Sequence, residues 1–279
     1  MKKNKIFTTP DLSRNIDNPL NFATRQRDKD VMQMVRTSLR EKNVLLAYQP
    51  VVMANGNNKV AFYEGLIRIM DKTGRIIPAR DFIEQIENDE MGRIVDCLAL
   101  EMGLESLAEE PSLRLSINMS ARSIGYGRWM ETLNHGLKLD PTAGERLILE
   151  ITESSAMMMP ELVTSFMQDL QKMGISFALD DFGAGYTAFR FLKNFYFDII
   201  KIDGQFIRNI STDTDNQVLT KALIAIAEQF DMFTVAECVE TAEDHKFLES
   251  IGIDCLQGYY FGYPTTAPPW RSPANKKRA

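Results

Sequence analysis

Short apolar runs alternate with segments of helical period along most of the chain. Eight runs rich in apolar and β-branched residues predict strands, at residues 44–52, 61–69, 113–119, 147–151, 175–179, 199–202, 233–235 and 255–261. Apolar positions that recur every three or four residues predict amphipathic helices at 30–41, 160–174 and 216–230. Eight strands interleaved with helices favour an α/β fold, a TIM-like (β/α)8 barrel.

The connection between the first two predicted strands differs from the others. Residues 53–59 contain Asn-Gly-Asn-Asn and are too few for a helix between two strands. This composition is typical of a hairpin. We therefore expect one antiparallel strand near the start of the barrel.

The two ends of the chain differ from the region between them. Residues 1–28 are polar, contain Pro10 and Pro19 and lack helical period, which predicts an N-terminal extension. The barrel domain is expected over residues 29–269. Residues 270–279 resemble a basic C-terminal tail exposed to solvent. Neither end predicts a sensory domain, so regulation by an unidentified protein partner is a further hypothesis.

Composition and charge exclude several classes of function. The chain has 279 residues, of which 44% are hydrophobic and 25% charged, as in ordinary globular proteins. Its net charge of −6 argues against a duplex nucleic-acid partner. The three cysteines form no CxxC pair, and two histidines are too few for a His-rich metal centre. Without a secretory signal or a membrane span, a cytoplasmic protein is expected.

Polar residues end most of the predicted strands. The residues at these ends are Asn118, Glu150, Asp180, Asp181, Lys201, Glu237 and Gln257, and Glu64 lies inside the second strand. One such residue is commonly a helix N-cap, but so many favour a site at the face where parallel strands of a barrel end. Oxygen ligands select Mg²⁺ or Mn²⁺, and two such ions suit phosphodiester hydrolysis by an activated water.

A competing motif occupies residues 183–188. The sequence Gly-Ala-Gly-Tyr-Thr-Ala, with Asp203 about 20 residues further on, is similar to a dinucleotide-binding fingerprint. Two aspartates stand directly before its first glycine and would repel a pyrophosphate. We therefore favour a loop beside the carboxylates.

Eight motifs occur in order between about Arg36 and Pro264. They are YQPVV from Tyr48, EGLIR from Glu64, SINMSAR from Ser116, LILEITES from Leu147, LDDFGAGYTAFRFLK from Leu179, DIIKIDGQFI from Asp198, VAECVET from Val235 and LQGYYFGYP from Leu256. Together they resemble the EAL-domain family of bacterial cyclic di-GMP phosphodiesterases.

The resemblance implies two metal sites. One ion would be held by Glu64, Asn118, Glu150 and Asp180, and the second by Asp180 and Asp181 with help from Glu237. Lys201 would orient or deprotonate the attacking water. Glu153 would support the loop at residues 181–186, which couples metal binding to dimerisation in this family. Mg²⁺ or Mn²⁺ is expected to be active, whereas the larger Ca²⁺ is expected to inhibit.

The resemblance also implies a substrate and a product. Arg68, which lies four residues after Glu64 and on the same face of the strand, would contact a phosphate. The residues expected to line the rim near the nucleotide are Gln49, Leu66, Glu240 and Gln257. The reaction would open cyclic di-GMP to linear 5′-pGpG, in a homodimer.

Three positions depart from the family pattern. Gly65 stands where alanine is usual, Cys238 where glycine is usual and Ala184 where threonine is common. We expect Gly65 to loosen its strand, since glycine weakens strand interiors. We expect Cys238 to crowd the turn after Glu237 and to shift Glu237. No metal ligand is lost, so an active phosphodiesterase is the main hypothesis. The alternatives are a receptor that binds the dinucleotide without cleaving it and a protein-interaction regulator.

Overall fold

The computed structural model describes residues 31–185 and 192–271. The predicted N-terminal extension lies outside these residues, as does the predicted tail after residue 271. Residue 186, the last of the 181–186 loop, also lies outside these ranges.

Eight strands close into a barrel. The strands in the described part of the chain are β1 (Val44–Met53), β2 (Val60–Met70), β3 (Ile76–Pro78), β4 (Leu115–Asn118), β5 (Leu147–Thr152), β6 (Ser176–Phe182), β7 (Ile199–Ile202), β8 (Phe233–Ala236) and β9 (Cys255–Gln257). Strands β2 and β4 to β9 are parallel neighbours in that order, and β1 pairs antiparallel with both β2 and β9. The predicted barrel with an antiparallel strand near its start is confirmed.

Two strand predictions need correction. Strand β3 was not predicted; it is a short strand that pairs with the end of β2 outside the barrel. The last predicted strand ends at Gln257 rather than at residue 261. Gly258 follows it so close to the backbone of Val239 that an added Cβ would lie 2.0 Å from the Val239 oxygen. The chain turns at this contact.

Helices cover the outside of the barrel. They are α1 (residues 31–40), α2 (Ile83–Ile86), α3 (Glu90–Glu109), α4 (Gly127–Leu139), α5 (Glu153–Met158), α6 (Pro160–Gln171), α7 (Gly204–Ile207), α8 (Thr214–Gln229) and α9 (Ala242–Ser250). Predicted helices at 30–41, 160–174 and 216–230 correspond to α1, α6 and α8. None of the helices in the described ranges is long and apolar enough to cross a bilayer.

The barrel interior consists of an apolar layer below a polar layer. The buried apolar cluster comprises Val51, Phe62, Ile148, Ala178, Ile199 and Val235. Side chains two positions apart on a strand point to the same side. The next inward positions toward the carboxyl ends of the parallel strands are therefore Glu64, Glu150, Asp180, Lys201 and Glu237, with Gln49 on antiparallel β1. The apolar layer closes the barrel beneath the polar residues.

The first residues of the predicted tail pack on the barrel. The Trp270 ring lies edge-on to Tyr48 and Tyr63, with centroids 5.0 and 4.8 Å apart. Arg271 forms an ion pair with Glu109, at 2.9 Å. The expectation of solvent exposure is wrong for Trp270, which is half-buried because it covers two aromatic rings on the outer face of β1 and β2, whereas Arg271 is exposed.

Gly65 does not leave a gap in its strand. A Cβ at this position would lie 2.6 Å from Ile117 Cδ1 and 3.0 Å from Leu46 Cδ2. Ile117 also fills the space beside Gly103, where an added Cβ would lie 2.9 Å from the same atom. Packing thus opposes the expected loosening at Gly65, because Ile117 and Leu46 occupy the space that the methyl group of an alanine would fill.

We expect Gly65→Ala to destabilise the protein by about 1 kcal/mol, since overpacking outweighs the better strand propensity of alanine. Ile117→Val removes the methyl group that meets the new Cβ and should recover most of the loss in the double variant. Urea unfolding of the parent protein, the two single variants and the double variant gives the coupling free energy between positions 65 and 117. A Gly65→Ala variant more stable than the parent protein would contradict this account.

Candidate active site

A buried lysine lies at the centre of the polar layer. Lys201 Nζ is 2.8 Å from Glu150 Oε2, 3.0 Å from Asp180 Oδ1 and 2.8 Å from Glu237 Oε1. Glu64 Oε2 is the fourth carboxylate oxygen, at 3.8 Å. The lysine side chain is 1% exposed. Each carboxylate comes from a different strand or strand end, so the closed barrel assembles the cluster.

Side-chain amides hold Glu64 in place. Asn118 Nδ2 donates to Glu64 Oε1 at 2.8 Å, and Gln257 Nε2 donates to Glu64 Oε2 at 2.5 Å. Burial raises the pKa of Glu64, but Lys201 and these two hydrogen bonds outweigh it and lower the pKa below its ordinary value. Glu64 is therefore ionised at neutral pH.

The other carboxylates carry more negative charge than Lys201 can compensate. Burial, together with neighbouring carboxylates, raises the pKa of Glu150 well above its ordinary range and that of Glu237 to about 8. Burial and Asp180 raise the pKa of Asp181 to about 6. Burial opposes the charge of Lys201, but the surrounding carboxylates keep its pKa well above its ordinary value. Lys201 thus stays protonated, whereas the raised pKa values of Glu150, Glu237 and Asp181 favour the protonated form of these carboxylates.

The backbone at Asp181 brings two consecutive carboxylates together. Side chains alternate along a strand, so Asp181 would ordinarily point away from Asp180. Its φ of 54° lies in the left-handed region, and the pairing register shifts between Leu179 and Phe182. Oxygens of Asp180, Asp181 and Glu237 consequently lie within 4.8 Å of one another.

These residues fit divalent metal ions. All the candidate ligand atoms are oxygens, which suit Mg²⁺ or Mn²⁺. Glu150 Oε1 is buried and has no hydrogen-bond partner among the described residues. With every group ionised, the four carboxylates of the polar layer and Asp181 together exceed Lys201 by four negative charges, the charge that two divalent ions neutralise. The carboxylates in this balance are Glu64, Glu150, Asp180, Asp181 and Glu237.

Glu153 supports the beginning of the loop that follows β6. Its Oε2 accepts a hydrogen bond from the Gly183 backbone N–H at 3.0 Å. Gly183 has a φ of 93°, and a Cβ there would lie 2.5 Å from the Phe206 ring. The predicted contact between Glu153 and this loop is present at Gly183, and residues 186–191 lie outside the described ranges.

A cavity of about 770 Å³ opens beside the cluster. Its lining includes the carboxylates of Glu64, Asp180 and Asp181, and Leu66 on the rim. The cavity is also lined by residues that the sequence patterns do not predict as site residues, namely Arg80, Asp96, Arg122 and Met158. A charged residue on the buried face of a long helix was the available signal for Asp96.

Asp96 is tied to the loop after β4. Ser123 Oγ donates to Asp96 Oδ2 at 2.6 Å, and the Ser120 backbone N–H donates to the same oxygen at 3.0 Å. Burial raises the pKa of Asp96 to about 6 despite these hydrogen bonds. Asp96 therefore positions the loop that carries Arg122.

The remaining predicted rim residues differ in placement. Gln49 Oε1 accepts a hydrogen bond from Gln257 Nε2 at 3.3 Å, which connects it to the Glu64 cluster. Arg68 is half-buried further along β2. Glu240 is exposed and makes no hydrogen bond or ion pair with the cluster in the described parts of the chain.

Cys238 does not displace Glu237. Its φ of 56° lies in the left-handed region, and its Sγ fills the space where a Cβ on Gly204 would come within 2.6 Å. Glu237 nevertheless reaches Lys201 at 2.8 Å. The expected crowding is present, but the expected shift of Glu237 is not.

Comparison with known sequences decides the family. The profile of the EAL domain matches residues 32–264. The chain belongs to the EAL domain family. Cyclic di-GMP phosphodiesterase PdeF of Escherichia coli (strain K12) is 30% identical over 238 residues, covering 84% of this chain and 32% of that protein. PdeB of Shewanella oneidensis is 30% identical over 234 residues, covering 82% of this chain and 27% of that protein. The chain thus spans about a third or less of these relatives.

Solved EAL domains share the fold. The FimX EAL domain from Pseudomonas aeruginosa bound to c-di-GMP aligns with a TM-score of 0.77 at 26% identity, covering 85% of this chain and 97% of that chain. The PaMucR phosphodiesterase in complex with c-di-GMP aligns with a TM-score of 0.73 at 27% identity, with the same coverage of each chain.

The raised pKa of Glu237 predicts how stability depends on pH. Its pKa rises from 4.5 to about 8 on folding, so between these values the folded state holds a proton that the unfolded chain has released. The stability of the metal-free protein should fall as pH rises through this window, by up to about 1.4 kcal/mol per pH unit for each such proton. Urea unfolding in EDTA at several pH values measures the slope.

Mg²⁺ or Mn²⁺ should reduce this slope by taking the place of the protons. The matched variant Glu237→Gln should show a smaller slope in EDTA. A slope that neither the metal nor the substitution changes would contradict the charge balance described for the cluster.

Proposed function

We propose that this EAL domain hydrolyses cyclic di-GMP to linear 5′-pGpG in a reaction that requires Mg²⁺ or Mn²⁺. The observation that carries the proposal is the complete carboxylate cluster around Lys201, open to the 770 Å³ cavity. Membership of the EAL domain family supports it, as do the activities for which PdeF and PdeB are named and the ligand bound to the FimX and PaMucR domains.

The proposed ligands divide into two groups that share Asp180. The first group is Glu64, Asn118, Glu150 and Asp180, and the second is Asp180, Asp181 and Glu237. Divalent ions bound there would supply charge neutralisation and activation of the attacking water. The chain contributes a preorganised set of ligands, because amide hydrogen bonds and the unusual backbone at Asp181 fix their positions.

Lys201 acts by donating hydrogen bonds. Its raised pKa keeps it protonated at neutral pH, so it orients the attacking water and stabilises negative charge rather than removing a proton. The water oxygen forms a new bond to phosphorus while the bond between phosphorus and the 3′ oxygen breaks. The water loses one proton as this bond forms and the 3′ oxygen takes up one proton, so one water is consumed in all, and the product keeps its 5′ phosphate.

Arg68 supplies positive charge for the second phosphate. In the described residues, no carboxylate lies within ion-pair distance of its guanidinium, which donates to the Ile67 carbonyl at 3.0 Å.

Several expectations stay predictions. They are that Glu153 couples metal binding to a homodimer, that a regulatory partner exists, that the protein is cytoplasmic, and that the nucleotide is contacted by Gln49, Leu66, Glu240 and Gln257.

The Glu64→Gln variant tests the proposal directly. The substitution keeps the shape of the side chain but removes a charged ligand. The rate of hydrolysis should therefore fall by at least about 100-fold, which is more than the loss of a residue that only hydrogen-bonds to a metal ligand typically costs. Chromatography of cyclic di-GMP incubated with each protein in Mg²⁺ or Mn²⁺ measures pGpG.

The matched control is Glu249→Gln, an exposed carboxylate on α9 that should retain full activity. EDTA should abolish product formation by the parent protein. If the protein binds cyclic di-GMP but does not cleave it in either metal, it is a receptor and not an enzyme. Cleavage that survives both EDTA and Glu64→Gln would exclude the metal mechanism.

Ca²⁺ should inhibit the reaction. It prefers more ligands and a looser geometry than Mg²⁺, so it is expected to occupy the carboxylates without aligning the water. Rates measured at fixed Mg²⁺ should fall as Ca²⁺ is added and recover when Mg²⁺ is raised. Full activity in Ca²⁺ alone would overturn the proposed metal geometry.

A further inference from the structure

A hydrogen-bonded turn follows the strained backbone at Asp181. The Ala184 N–H donates to the Asp181 carbonyl at 3.1 Å, which closes a four-residue turn. Gly183 is the third residue of this turn, and its φ of 93° is one that glycine adopts readily. The conformation of Asp181 therefore depends on the two peptide groups inside the turn.

The peptide group between Phe182 and Gly183 is held at both of its polar atoms. Its N–H donates to Glu153 Oε2 at 3.0 Å, and its carbonyl accepts a hydrogen bond from the Asp203 N–H at 3.4 Å. Glu153 is buried, so one of these supports lies inside the protein. A rotation of this peptide group would break both contacts.

The next peptide group, between Gly183 and Ala184, is held by a side chain that no function assigned above uses. Gln205 Nε2 donates to the Gly183 carbonyl at 3.3 Å, and the N–H of this same peptide group is the one that donates to the Asp181 carbonyl. Because a peptide group is planar, a contact that fixes the direction of its carbonyl also fixes the direction of its N–H. Gln205 thus acts on the backbone of Asp181 through one peptide group.

The backbone of Gln205 is itself held on both sides of α7. Its N–H donates to Asp203 Oδ1 at 2.8 Å, and its carbonyl accepts a hydrogen bond from Asn216 Nδ2 of α8 at 3.1 Å. The ring of the neighbouring Phe206 lies 2.5 Å from the place where a Cβ on Gly183 would be. Helix α7 therefore meets the turn with an aromatic ring and an amide, and Gln205 is exposed, so its replacement leaves the buried core unchanged.

We propose that Gln205 is a positioning residue for Asp181, one of the proposed ligands of the second metal ion. The inference rests on the proposed function and adds a residue that acts on a ligand through the backbone. Groups that orient a metal ligand raise the affinity for the ion, because a ligand already held in place loses less freedom on binding. Loss of the Gln205 contact should therefore weaken binding of the second ion and leave substrate binding unchanged.

Binding of Mn²⁺ to the protein without substrate tests this role. Electron paramagnetic resonance detects free Mn²⁺, so a titration gives the dissociation constants of both ions. Gln205→Met keeps the length of the side chain but cannot donate, and one of the two constants should rise about fivefold, the effect of one hydrogen bond. Gln205→Asn keeps the amide on a shorter side chain and should show the same rise. Gln229→Met, which replaces an exposed glutamine at the end of α8, is the matched control and should bind both ions as the parent protein does.

Two further measurements distinguish positioning of Asp181 from a general effect on the fold. Asp181→Asn removes the charged ligand, so adding Gln205→Met to it should weaken Mn²⁺ binding by less than about twofold further. In steady-state kinetics of Gln205→Met, the Mg²⁺ concentration that gives half-maximal activity should rise about fivefold. The KM for cyclic di-GMP at saturating Mg²⁺ should change by less than about twofold, because Gln205 acts on the metal ligand alone.

The outcomes separate this inference from the proposed function. If the parent protein cleaves cyclic di-GMP but Gln205→Met binds both ions as tightly as the parent, the positioning role alone is overturned. The same conclusion follows if Gln205→Met costs as much affinity in the Asp181→Asn background as in the parent. A parent protein that binds two Mn²⁺ ions without cleaving the dinucleotide would overturn the hydrolysis, and the Mn²⁺ titrations would still decide the role of Gln205. A parent protein that binds fewer than two Mn²⁺ ions would overturn both.

Discussion

The buried ammonium of Lys201 is the interaction on which the site depends. A charge this far from water is tolerated only when opposite charges surround it, and here carboxylates from β2, β5, β6 and the end of β8 do so. The requirement acts in both directions, because Glu64, Glu150 and Asp180 are also buried and need the charge of the lysine, and Glu237 is half-buried. Strand register therefore matters at every position of the ring, since a shift of one residue would turn a charged side chain out of the barrel.

The apolar layer beneath this ring determines how the charges behave. Phe62, Ile148 and their neighbours fill the barrel, so the polar side chains are solvated from the cavity side alone. Electrostatic interactions are stronger in such surroundings than in water, which explains why one lysine cannot keep Glu150 and Glu237 ionised at neutral pH. The same surplus of negative charge makes the layer a strong attractor of divalent cations.

Two strained residues flank the ring. Asp181 and Cys238 both adopt left-handed backbone conformations, which cost non-glycine residues roughly 1–2 kcal/mol each. At Asp181 the strain has a direct consequence, since it places the carboxylate beside Asp180 instead of on the outer face of β6. At Cys238 the thiol packs against Gly204, and the turn keeps Glu237 aimed at Lys201. Local strain of this kind persists because the closed barrel holds both ends of each turn.

The barrel, its antiparallel first strand and the charged residues at the strand ends could all be predicted from the amino-acid sequence. These follow from local patterns, because alternation within a strand and the turn between two strands are readable from neighbouring residues. Other features of the fold and the site depend on contacts that form only when the chain folds. Trp270 packs on Tyr48 and Tyr63, Asp96 lines the cavity and Ile117 fills the space beside Gly65, and each contact joins residues far apart in the chain. The protonation of the carboxylates also depends on tertiary structure, since burial and distance set their pKa values, and neither quantity exists until the barrel closes.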